Sequence, residues 1–465
     1  MKKIIISISC NKHLNIVSLL LMVILSTGCE SFVEVDFPDS ELTGEMVFND
    51  VGTAEAAITS IYSKLVNNVL VCGNSSGISI LFGSYADELQ TYNTGISEFQ
   101  FFQNSLIATN SSVSSLWNGS YNLIYAANAV KEGVENSSVI SESDKNRLLG
   151  EVLFIRAYIH FHLLNIFGEI PYVTTTDYTV NAVIGKSSVP QVYALLITDL
   201  EEAKSLMPLV SQNSFRVRPD IDVVKSLLAR IHLYNADWES AGIEASSVIN
   251  SGNFTWVNSL DDVFLKHSTG TIWQLMPTQE GMPTQEGQSF IFTMGPPPNR
   301  ALSTHLVDAF EAGDLRKEHW TGTVTDGETW YYPFKYKQSV TDIMSNEYSV
   351  LFRLEELYLI RAEALARLGD LDGAKNDINK IRNRASLPDT SANTEVQLIE
   401  AVMQERKVEF FSELGHRFFD LKRMGIINNV LSPVKPGWNT TDILLPIPES
   451  ELLLNPNLLP QNLGY

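Results

Sequence analysis

Cysteine is nearly absent from this chain: Cys10, Cys29 and Cys72 are the only three in 465 residues. Cys10 falls in an apolar leader and Cys29 at its end. Cys72 is then left alone, and no intrachain disulfide can staple the fold. Basic residues are also scarce, 33 Lys and Arg against 54 Asp and Glu, for a formal net charge of −21. No basic stripe relieves that balance, so binding to a phosphate backbone is excluded. Long apolar runs are missing beyond residues 14–25 (LNIVSLLLMVIL), a stretch of signal-peptide length and too short to span a bilayer comfortably. Phosphate-cradling glycine loops, GxSxG elbows and metal-ligand spacings of His and Cys are absent as well, and no cofactor is implied.

What is present starts with that leader. Lys2, Lys3 and Lys12 precede the apolar run, small residues fill 26–28, and Cys29 follows at once. This order predicts a lipoprotein signal over 1–28 and diacylglyceryl modification of the Cys29 thiol. Two or three acyl chains, at roughly 0.8 kcal/mol per buried CH₂, hold firmly where one is marginal. An ordinary cleaved signal and an N-terminal anchor helix are the alternatives. Loss of the three leader lysines takes the net charge from −21 to −24, which makes adhesion to anionic lipid by charge alone unfavourable.

Residues 29–50 are acidic and aperiodic and read as a tether. Helical spacing begins after Thr53 and continues through a helical region over 51–252, with 71–110 reading as irregular surface. Residues 115–135 form a second helix. The stretch 146–168 is apolar almost all round and so predicts a buried helix, ended by Gly168 and Pro171. Two segments, 223–249 and 356–381, look like copies of one unit. Ala229 and Ala241 in the first, and Ala362 and Ala374 in the second, lie twelve apart, and Asp237 aligns with Asp370. Small residues at those places let antiparallel helices approach closely, as in a tetratricopeptide unit. Between them, 253–349 reads as an inserted loop-rich lobe containing MPTQEG twice in tandem, at 276–281 and 282–287. The fold class is therefore mainly α, a helix-pair scaffold with an irregular lobe, closed by a C-terminal region over 350–465.

The blocks GEVLFIRAYIHFHLLNIFGEIPYVT (150–174), LSTHLVDAFEAGDLRKEHW (302–320), LFRLEELYLIRAEALARLGD (351–370), QERKVEFFSELGHRFFDLKRMG (404–425) and LLPIPESELLLNPNLLPQNLGY (444–465) resemble, in order, the SusD/RagB family. That resemblance implies a surface lipoprotein of the outer membrane that binds glycans or, in some branches, peptides. It also implies a SusC-like TonB-dependent transporter as partner, with the repeat scaffold facing that barrel. A surface polysaccharide hydrolase and a purely structural lid of the transporter are the competing functions.

No residue set carries catalysis convincingly. His160 and His162, two apart on one buried helix, read as core residues. Asp370-Leu371-Asp372-Gly373 reads as a helix–helix turn rather than a calcium loop. Glu405, Glu409 and Glu413, with Arg406, Arg417 and Asp420, read as a structural ion-pair network near a helix end. Sugars and extended peptides call for aromatic platforms among a few polar groups. By that composition the candidates are Tyr85, Asp87, Tyr92 and Asn93 in one loop region, Trp273, Trp330 and Tyr331 in the lobe, and Trp438 beyond it. Trp117 and Trp238 lie in helix patterns and belong to the core.

Overall fold

Local capping explains where most helices begin. The computed structural model describes residues 47–208 and 215–465; the leader, Cys29 and the tether up to residue 46 lie outside the described residues. Twelve helices there have eight or more residues: α1 Val51–Asn67, α2 Ile78–Tyr85, α3 Ile96–Gln103, α4 Ser111–Asn136, α5 Glu142–Phe167, α6 Val189–Leu206, α7 Ile221–Tyr234, α8 Trp238–Ile249, α9 Leu354–Leu368, α10 Leu371–Arg384, α11 Glu395–Glu409 and α12 His416–Arg423. The carboxylates of Asp50, Asp220, Asp237 and Asp370, the Asn110 amide oxygen and the Ser141 and Thr394 hydroxyls accept the first free N–H groups of their helices. None of the described helices is long and apolar enough to cross a membrane.

Helix α5 is the axis of the N-terminal half, buried without a break from Gly150 to Phe167, with α4 and α6 packed against it. Several of its buried polar side chains are engaged. Arg156 grips Asp199 of α6 through Nε (2.8 Å) and Nη2 (2.7 Å) and donates to Asn128 of α4 at 2.9 Å. His160 and His162 sit in the core, each with Nδ1 against the carbonyl four residues back. Burial pushes both imidazoles down to about 3, so they stay neutral.

The two predicted repeats form helix pairs, α7–α8 and α9–α10, and α8 packs on α9. Ala229, Ala241, Ala362 and Ala374 are all fully buried. Asp237 and Asp370 play the same part, each accepting from the third N–H of the following helix (Ser240 at 3.2 Å, Gly373 at 2.9 Å). The pairs are joined by Arg230 of α7 donating twice to Glu356 of α9, at 2.6 Å each. This arrangement fits a tetratricopeptide-like scaffold. The fold is mainly α, as the periodicities require.

Strands are few and all antiparallel. β1 (Leu89–Thr91) pairs with β3 (Arg300–Leu302), β2 (Thr271–Leu275) with β6 (Ser349–Arg353), and β4 (Thr321–Asp326) forms a hairpin with β5 (Glu328–Pro333). The second MPTQEG copy is built into the structure. Its Thr284 caps a short helix, Gln285–Phe290, and its buried Glu286 accepts from Ser349 at 2.7 Å. Most of the first copy is exposed, which is how the lobe absorbs six additional residues.

Residues 71–110 differ from the expectation of irregular surface. Every residue of α2 is buried, and Phe82 packs on Phe418 (4.7 Å between centroids) and Phe419 (5.2 Å). An eight-residue helix without a polar face leaves no periodicity to read. Gly77, at its start, has room for nothing larger: a Cβ there would lie 1.7 Å from the Cys72 carbonyl oxygen.

The 404–425 block forms a buried ion-pair network. Glu409, fully buried at the end of α11, accepts from Arg353 (2.6 Å), Arg316 (3.1 Å) and Arg384. Burial by itself would push this carboxyl up; the charges of Arg384, Arg353 and Arg316 overcome that and hold it far below the usual carboxylate range. Lys335, just beyond β5, donates to the carbonyls of Glu409 (2.7 Å) and Phe411 (2.9 Å) and to Glu413. Removing one member of such a buried set strands the others in low dielectric. Glu409→Gln is therefore expected to cost about 3–5 kcal/mol in urea unfolding; a cost below about 1 kcal/mol would show that the arginines find other partners.

Candidate functional site

A cleft of about 1000 Å³ opens between the chain after α2, the end of α3, the segment following β3, the β4–β5 hairpin and residues 434–437. Its floor is set by the loop after α2. Asp87, 6% exposed, receives two hydrogen bonds from Arg417 of α12, Nε and Nη2 each at 2.8 Å. Burial opposes ionisation of Asp87, but the hydrogen bonds and charge of Arg417 outweigh it and hold the carboxyl below its ordinary value. The Ser303 hydroxyl donates to the Asp87 carbonyl, tying β3 to the same loop.

The hairpin supplies one wall. Trp330 pairs with Val324 and Tyr331 with Thr323, so the two side chains leave opposite faces of a regular ladder whose strand lines the cleft. The Trp330 ring lies against Gly295, where a Cβ would come within 2.2 Å of it, so glycine is needed for that approach. Opposite, Tyr92 is 38% exposed, and its backbone N–H is held by the Asn299 carbonyl at 2.7 Å. Phe102 is half-buried and stacks under Lys435, whose Nζ lies 4.4 Å from the ring centroid. Lys435 is itself buried and donates to the Ser84 carbonyl at 2.6 Å. Burial pushes its ammonium down to about 7.

The structure brings four of the eight sequence candidates together here: Asp87, Tyr92, Trp330 and Tyr331 all line the cleft. Trp438 lines an adjoining cleft of about 700 Å³, sharing Asn104 and Ser105 with the first, but its ring is mostly covered and its Nε1 donates to Asn428 at 2.9 Å. Asn93 lies beside Tyr92 and turns its amide oxygen back to the Gly95 N–H, 2.9 Å away. Tyr85 and Trp273 have no exposed surface, so neither ring can stack on a ligand in this structure. Tyr85 lies beneath the cleft floor, its hydroxyl donating to the Asp442 carbonyl at 3.1 Å. Trp273 is on the buried strand β2, against Phe154 (5.1 Å) and Tyr158 (5.2 Å). An aromatic in a loop-rich segment and one on a short buried strand look alike in a sequence. No local motif in the sequence marks the two cleft lysines, Lys317 and Lys435, which stand far apart in the chain.

Two family models match the chain: one described as the SusD family over residues 320–465, the other as "starch-binding associating with outer membrane" over residues 36–233. Among curated relatives, a SusD-like protein of Formosa agariphila is 25% identical over 97% of this chain and 99% of its own. The starch-binding protein SusD of Bacteroides thetaiotaomicron is 26% identical over 71% of this chain and 75% of its own. Among solved structures, a SusD superfamily protein of Bacteroides vulgatus superposes with a TM-score of 0.78 at 22% identity, covering 90% of this chain and all of that one. A protein described as a laminarin-binding SusD-like protein superposes at 0.75 and 20% identity, covering 89% and 99%.

One buried acid beside the floor gives a pH test. Glu88 follows Asp87 and is 1% exposed; burial, reinforced by the charge of Asp87, pushes its carboxyl up to about 8. The folded chain therefore keeps this proton through a range in which the unfolded chain loses it, so stability falls as pH rises from about 4.5 towards 8. Glu88→Gln removes that loss. Its stability relative to wild type, measured by urea unfolding, is expected to increase steadily from pH 5 to pH 8. A difference independent of pH would mean that Glu88 is ionised in the fold.

Proposed function

Because this chain belongs to the SusD/RagB family, we propose that it captures an oligosaccharide at the outer-membrane surface and passes it to a SusC-like TonB-dependent transporter. The observation that carries the reading is the grouping of Tyr92, Trp330 and Tyr331 around one open cleft whose rim also holds Gln90, Gln103 and Thr329. Sugar rings present C–H faces to aromatic platforms and hydroxyls to amides and hydroxyls, so this mixture suits them. The names of two relatives, starch-binding and laminarin-binding, favour glycan over peptide as the cargo. Capture rather than hydrolysis is supported by Asp87: both its oxygens are taken by Arg417, which leaves the carboxylate unsuited to giving or taking a proton.

The anchor follows the same reading. A diacylglyceryl group on Cys29 would hold the body to the outer leaflet, with the acids at Glu30, Glu34, Asp36 and Asp39 as an export signal. The helix pairs α7–α8 and α9–α10 would face the transporter.

Two outcomes are expected. In titration calorimetry with the glycan that the wild type binds, Trp330→Ala and Tyr92→Ala each weaken affinity about tenfold or more while helicity by circular dichroism is unchanged; unaltered affinity in both variants would remove the cleft from the function. In cells fed labelled palmitate, the wild type incorporates label and Cys29→Ser does not. Label on the variant, or none on the wild type, would remove the anchor.

A further inference from the structure

The charges lining the cleft bear on which glycans enter, an inference that rests on the capture reading above. Three carboxylates and two lysines line it, and no arginine does. Asp87 is neutralised by the Arg417 fork. Lys435 is 7% exposed, with its Nζ committed to the Ser84 carbonyl and the Phe102 ring. Lys317 donates from Nζ to the Val307 carbonyl at 3.1 Å, 5.8 Å from the centre of the Tyr331 ring. Asp308 and Glu328 differ from all of these: both are exposed, and neither carboxylate has an ion-pair or hydrogen-bond partner.

A carboxylate or sulfate on a ligand is held by guanidinium forks or by several unengaged ammonium groups. This cleft offers neither, and it sets two unpaired carboxylates on its rim in a chain of net charge −21. We infer that the site takes uncharged glycans and rejects uronate- or sulfate-bearing ones, with Asp308 and Glu328 as the discriminating groups. Aromatic stacking and neutral hydrogen bonding then supply the attraction, and binding of the accepted glycan is insensitive to salt.

The test is affinity electrophoresis of the full chain in two panels. One holds uncharged polymers: an α-glucan, a β-1,3-glucan, a xylan and a mannan. The other holds polygalacturonate, alginate and a sulfated galactan. The expected result is retention by at least one uncharged polymer, with every anionic polymer held at least about tenfold more weakly. The double variant Asp308→Lys/Glu328→Lys, both changes at exposed positions, is expected to gain at least about tenfold in retention on an anionic polymer at low salt and to lose that gain at high salt. An anionic polymer bound by the wild type as tightly as any uncharged one overturns the inference and leaves capture standing. A double variant with no gain overturns the role of the two carboxylates. Retention by neither panel overturns the capture reading itself, and this inference with it.

Discussion

Glu409 is the point on which the two halves of the site's support converge. One buried carboxylate is held by arginines from three places: Arg316 just ahead of the β4–β5 hairpin, Arg353 at the end of β6 and Arg384 on α10. Lys335, just past the hairpin, returns to the carbonyl of the same residue. The hairpin that carries Trp330 and Tyr331 is thus clamped at both ends to the helical scaffold. Taking so many charges out of water costs free energy that their mutual attraction offsets only when the geometry is close to ideal. Few other packings of this sequence would set three buried guanidinium groups around one carboxylate at once.

From that clamp the cleft follows. The floor comes from the loop after α2, fixed by Asp87 and Arg417; the far wall comes from Tyr92 beside β1. The β1–β3 pairing brings residues 89–91 and 300–302 together across some two hundred positions of chain. The hairpin holds Trp330 and Tyr331, the Asn299 carbonyl holds the backbone at Tyr92, and Gly295 and Gly322 let the Trp330 and Tyr332 rings approach the backbone closely. A platform held in this way loses little side-chain freedom when a ligand arrives, which favours capture of a weakly interacting solute.

Helices were legible in the sequence wherever periodicity, caps and small-residue spacing agreed. The buried α5, the alanines twelve apart and the twin caps Asp237 and Asp370 all came from that agreement. That Glu405 and Glu409 belong to a structural ion-pair network could also be read, but their partners could not. Arg316, Arg353, Arg382 and Arg384 come from distant parts of the chain, while the nearby Arg406 and Arg417 pair with Asp420 and Asp87. Helix α2 was hidden because a short element buried on all sides has no polar face to betray it. The candidate site was half legible. Tyr92, Trp330, Tyr331 and Asp87 were chosen for their composition, and so were Tyr85 and Trp273, which the fold places in its core. What separates the two groups is tertiary: the rings at the cleft stand on a hairpin and a loop edge, the others on a buried helix and a buried strand. Lys317 and Lys435 gave no signal because what makes them notable, contact with a carbonyl or ring from another element, does not exist until the chain has folded.

The most direct measurement is a crystal structure of the protein with a bound oligosaccharide. This account predicts sugar rings stacked on Trp330 and Tyr92, inside the cleft bounded by β5 and residues 434–437. Density for the ligand elsewhere, such as the groove between α1 and α4, with this cleft holding only solvent, would contradict it.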